Sequence, residues 1–193
     1  MSPEGEGTGM SPHVTSEGAE HAATQNLASI LRGEVVRLPA AEDTHALGVE
    51  LGKRLRPGDL VLLTGDLAAG KTTLTQGIGV GLGVRGPITS PTFVIARVHP
   101  SLGSGPALVH VDAYRLGGLA ELDDLDLDAE LEAVVTVVEW GHGMAEVLAE
   151  ERLEIVLSRV ADVDADDATE LERDQPRQAL AIGHGPRWTQ GLS

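Results

Sequence analysis

A chain of 193 residues with 41% hydrophobic content can bury one core of ordinary size but hardly two. It has no cysteine, which excludes disulfides, thiolate metal sites and a cysteine nucleophile, and 30 acidic against 14 basic residues leave a formal charge of −16. Such a balance repels polyanions, and the only lysines, Lys53 and Lys71, make no basic cluster able to release counterions from DNA or RNA. No apolar run approaches the roughly 20 residues of a membrane helix. Met1–Met10 also lacks the basic and apolar regions of a secretory leader, so a cytoplasmic protein without membrane contact is expected.

In chain order, residues 1–33 are rich in Gly, Ser, Thr, Glu and Ala with little apolar periodicity, and are expected to be a disordered extension. A single domain is expected over residues 34–183, followed by a flexible tail, 184–193. Glu34 to Leu38 reads as a short strand, and Asp43-Thr44 as the cap of a helix running to about Leu55. After the turn Arg56-Pro57-Gly58-Asp59 comes Leu60-Val61-Leu62-Leu63-Thr64, a continuous apolar run of buried-strand length. A glycine-laden helix is expected from Lys71 to about Leu82, a loop from Val84 to Pro91, and a strand from Thr92 to Val98. Further strands are read at Ala107–Asp112, Val134–Glu139 and Leu153–Val160. Leu119–Ala133 reads as an acidic helix, 161–175 as an acidic loop insertion, and Arg177–Ile182 as a final edge strand. Alternating strands and helices predict an α/β domain of P-loop NTPase type. Its central sheet would be mostly parallel, with helices on both faces and antiparallel edge strands.

Between the strand at Leu60 and the next helix lies Gly65-Asp66-Leu67-Ala68-Ala69-Gly70-Lys71-Thr72, the pattern G-x-x-x-x-G-K-[ST]. Glycines let backbone N–H groups wrap a phosphate closely at a helix N-terminus whose dipole favours negative charge. Lys71 would reach the β- and γ-phosphates of ATP, and the Thr72 hydroxyl would ligate Mg²⁺. A chance pattern in a glycine-rich chain would rarely fall between an apolar strand and a helix. Ligands of open α/β sheets sit beyond the carboxyl ends of the parallel strands, where Asp112 and Glu139 each end an apolar run. Each is a metal-holding or water-orienting acid, or else a strand-end cap. The seven acids from Glu121 to Glu132 read as a solvated helix face. His110 shares a strand face with Asp112 and either orders the site or is structural, and Trp140 reads by default as core packing.

With these residues in hand the sequence resembles the TsaE (YjeE) family, the ATPase of bacterial tRNA threonylcarbamoyladenosine synthesis, over about Val35 to Val160. The resemblance is carried by Gly65 to Thr73, Thr89-Ser90-Pro91-Thr92-Phe93, His110-Val111-Asp112-Ala113-Tyr114-Arg115-Leu116 and Val138-Glu139-Trp140. It implies that Thr72 and Glu139 hold Mg²⁺, that Asp112 supports hydrolysis, and that Thr73 joins the phosphate loop. It also implies that Ser90-Pro91-Thr92 senses the γ-phosphate, and that Arg177 stands for an arginine of the family's last strand beside the nucleotide. TsaB and TsaD homologues are the implied partners, with tRNA reached only through that complex, and DNA not at all. Ala68 departs from the family's usual glycine; a positive φ there would cost of order 1 kcal/mol.

Two other functions compete. A small-molecule P-loop kinase would clamp the transferred phosphate with several lid arginines, and here only Arg85, Arg97 and Arg115 are near. A nucleotide-dependent binding module would tolerate loss of Glu139. A GTPase is disfavoured because neither lysine sits in a guanine-selecting Asn/Thr-Lys-x-Asp element, and an ABC-type ATPase because the Ser-Gly-Gly signature is missing.

Overall fold

Leu60–Thr64 is apolar on both sides because it becomes the central strand of a sheet covered on both faces. The computed structural model describes residues 16–91, 96–115, 131–140, 149–160 and 175–189. Within them the order is α1 (Ser16–Leu31), β1 (Val36–Leu38), α2 (Ala41–Gly52), β2 (Leu60–Thr64), α3 (Lys71–Leu82), β3 (Ala96–His99) and β4 (Leu108–Asp112). Next come β5 (Val135–Glu139), β6 (Arg152–Arg159), β7 (Arg177–His184) and the one-turn helix α4 (Pro186–Thr189).

The seven strands form one sheet in the order β1-β7-β6-β2-β5-β4-β3. β6, β2, β5 and β4 run parallel, while β7 is antiparallel to β6, β1 to β7 and β3 to β4. Alternation along the strands divides the core. Val61, Leu63, Leu108, Val135, Val137 and Ile155 face the side occupied by Leu27, Ile30, Leu47, Leu51, Leu74 and Ile78 of α1–α3. Leu60, Leu62, Val109, Val111 and Val138 form the core of the opposite face.

Several expectations need correction. Residues 16–31 are a helix rather than part of a disordered extension, since Ala23, Leu27 and Ile30 recur at helical spacing and are buried. The cap of α2 is Ala40, whose N–H donates to the Asp43 carboxylate one turn on, and the helix ends at Gly52 rather than Leu55. Arg177–His184 is not an edge strand; β1 pairs along its outer side. The expected tail contains α4, where Trp188 is buried and Arg187 pairs with Asp59 at 2.7 Å. The 161–174 part of the acidic insertion lies outside the described residues, as do 119–130 of the expected 119–133 acidic helix and 92–95 of the expected 92–98 strand; Leu131–Ala133 is a single 3-10 turn.

Candidate active site

The carboxyl ends of β2, β5 and β4 lie side by side, so the residues that leave each strand meet at one edge of the sheet. From β2 the chain turns into α3 through Gly65, at φ 146°, and Gly70, at φ 102°. A Cβ on Gly65 would stand 2.1 Å from the carbonyl oxygen of Leu157, so the loop passes too near the main chain of β6 for any side chain there. Ala68 has φ 62°, the left-handed conformation that glycine would take freely; the strain is tolerated in place.

Lys71 opens α3. Its Nζ donates to the carbonyls of Gly65 at 2.7 Å and Asp66 at 2.9 Å, and sits 3.6 Å from the centre of the Trp140 ring. Burial pulls the ammonium below the usual lysine range, against the opposing fields of Glu139, Asp112 and Asp66. Trp140 therefore departs from the core-packing expectation. Turned by a φ of 62°, it is half-buried over the lysine and packs against Tyr114, ring centres 5.2 Å apart.

Asp112 and Glu139 are direct register partners on parallel strands, and both are buried. Like charges directly opposite one another are unfavourable, so the pair calls for donors or a cation between its members and the loop. Such donors are present. Thr72 Oγ1 donates to Glu139 at 3.1 Å, Ser90 Oγ donates to Asp112 Oδ2 at 3.1 Å, and the Tyr114 N–H donates to Asp112 Oδ1 at 3.1 Å. His110 Nε2 lies 2.9 Å from Glu139 Oε1.

Around these groups is a cavity of about 600 Å³ lined by Leu67 to Thr73, Ser90, Asp112, Tyr114, Glu139, Trp140 and Arg177. Gly65 and Asp66 are off its wall and engage Lys71 through their carbonyls instead. Arg177 reaches it because β7 runs antiparallel and begins where β6 ends, with its Nε 3.7 Å from where a Gly70 Cβ would stand. Thr92 lies outside the described residues. The oxygens of Thr72, Glu139 and Asp112 are hard donors suited to Mg²⁺. Among the described residues no group of three or more His, Asp or Glu forms a full cage. The family resemblance gives Ser90 a part in sensing the γ-phosphate and Tyr114 no role; their hydrogen bonds to Asp112 are formed by the fold, and the only local signal is that Tyr114 follows Asp112 by two residues.

Comparison with known proteins shows what the chain and its fold are similar to. The family model described as Threonylcarbamoyl adenosine biosynthesis protein TsaE matches residues 38–167. The tRNA threonylcarbamoyladenosine biosynthesis protein TsaE of Streptomyces coelicolor is 59% identical over 143 residues, covering 74% of this chain and 91% of that protein. The protein of the same name from Bacillus subtilis is 42% identical, covering 63% and 75%. The crystal structure of Bacillus subtilis YdiB superposes with a TM-score of 0.60 at 31% identity, over 81% of this chain and 88% of that one.

Proposed function

The chain belongs to the TsaE family, and from that premise we propose that it binds and hydrolyses Mg·ATP in support of tRNA threonylcarbamoyladenosine formation. The observation that carries the reading is the convergence of Lys71, Thr72, Asp112 and Glu139 on one cavity at the carboxyl ends of β2, β4 and β5.

In this reading the loop from Gly65 to Thr73 wraps the phosphates, and Lys71 leaves the Gly65 and Asp66 carbonyls to meet the β- and γ-phosphates. Thr72 and Glu139 hold Mg²⁺, which when bound neutralises charge on the transferred phosphoryl group. Asp112, held by Ser90 and the Tyr114 amide, is placed to orient the attacking water. Trp140 and Tyr114 keep bulk water from the lysine and Arg177 lines the same cavity; the family resemblance adds Thr92 to Ser90 as the sensor of the γ-phosphate. TsaB and TsaD homologues are the proposed partners and the cytoplasm the proposed compartment; the net charge of −16 favours meeting proteins over carrying tRNA alone.

The test is phosphate release from ATP by the purified protein, alone and with TsaB and TsaD. Slow turnover alone and faster turnover with the partners are expected. Lys71→Ala should lose about 100-fold or more, as when one transition-state donor is removed, and Glu139→Ala should lose activity through the cation it holds. Equal phosphate release by both variants and the parent protein would remove the mechanism, and transfer of label to a metabolite would replace it with a kinase.

A further inference from the structure

His110 is fully buried on β4, between Leu108 and Asp112 on the sheet face that α3 covers. Its register partner on β5 is Val137, so the ring reaches diagonally past that residue to Glu139, two positions on. Nε2 meets Glu139 Oε1 at 2.9 Å, and because a carboxylate only accepts, Nε2 carries the hydrogen. Nδ1 has no hydrogen-bond partner among the described residues. Among the described residues the one hydrogen bond of its ring is to Glu139, so the only group it orients there is that carboxylate. Glu139 in turn accepts from Thr72 through both oxygens, at 3.1 and 3.2 Å, and faces Asp112 directly across the ladder.

We propose that His110 is a positioning residue for the cation site: its Nε2–H pins Oε1 of Glu139 so that the carboxylate, repelled by Asp112, keeps the orientation in which it and Thr72 share Mg²⁺. The inference rests on the Mg·ATP reading above and adds to it a residue that touches neither nucleotide nor metal. Outer partners of this kind typically change metal affinity 10- to 100-fold when removed.

The test compares His110→Gln with His110→Asn. Glutamine carries its amide nitrogen three bonds beyond Cβ, as the histidine Nε2 is; asparagine carries it two bonds beyond and falls short of Glu139. Both place an amide in the same buried position, so a general folding defect would affect both. ATP affinity is measured by calorimetry with EDTA and across a Mg²⁺ titration. His110→Asn should raise the half-saturating Mg²⁺ concentration about tenfold and leave the EDTA affinity unchanged, and His110→Gln should stay within about threefold of the parent protein. Equal Mg²⁺ dependence in all three proteins would overturn the role of His110 and leave the ATPase reading standing. An equal loss in both variants, with or without Mg²⁺, would make the histidine merely structural. Absence of any Mg²⁺ effect in the parent protein would overturn both proposals.

Discussion

In the phosphate loop, glycine is required by backbone angle, joined at Gly65 by a close neighbour; along the seam between α2 and α3 it is required by distance alone. Gly65 and Gly70 take φ values of 146° and 102°. Gly48 and Gly77 lie in regular helix, yet a Cβ on Gly48 would stand 2.3 Å from the Leu74 carbonyl oxygen, and one on Gly77 2.1 Å from that of His45. The two helices thus touch backbone to backbone. The loop shapes the proposed anion site locally, whereas the seam fixes where α3, and with it Lys71 and Thr72, is aimed. A short motif reports the first use; the second leaves only an unexplained run of glycines.

Substitutions separate the two uses. Gly65→Ala should be the most damaging, because it combines the angle with a rigid neighbour, the Leu157 carbonyl. A loss of about 2–6 kcal/mol is expected from strain and overpacking together, seen in chemical denaturation, with ATP binding abolished. Gly77→Ala adds a better helix former but wedges the seam apart, for a net loss of about 1–2 kcal/mol. Its melting temperature should fall by several degrees and its ATP affinity by less than tenfold. Gly70→Ala meets only ordinary contacts, Thr44 Cγ2 at 3.5 Å and Arg177 Nε at 3.7 Å, so the angle alone should cost about 1–2 kcal/mol. Ala68→Gly should change least. Relief of a φ of 62° is offset by the freer unfolded chain, and thermal melts should agree within roughly 0.5 kcal/mol. A Gly77→Ala protein that keeps its stability and loses ATP would break the distinction.

The same contrast explains what was legible in the sequence. β2, the phosphate loop and α3 were readable because a buried strand, a glycine turn and a helix start are each encoded within a few residues. The acids at the ends of β4 and β5 were readable because an apolar run ending in a carboxylate is a local signal. α1 was missed although Ala23, Leu27 and Ile30 keep helical spacing, since three buried positions, one of them only alanine, fall below a convincing stripe until β1, β7 and α2 receive them. The inner position of β7 depends on β1 returning to its outer side, and pairing order between distant strands leaves no trace in either strand. Trp140 over Lys71 and His110 against Glu139 are contacts across strand ends, which periodicity along one strand cannot show.

The central claim is that Lys71 and the loop before it form a triphosphate site completed by Mg²⁺. Calorimetric titration of ATP into the parent protein and into Lys71→Ala, each with and without Mg²⁺, addresses it most directly. The parent protein should bind ATP more tightly with the cation, and Lys71→Ala should lose about 10- to 100-fold in affinity, as when a hydrogen bond to a charged group is removed, while still folding. ATP binding of equal strength in both proteins, or none in either, would contradict the claim.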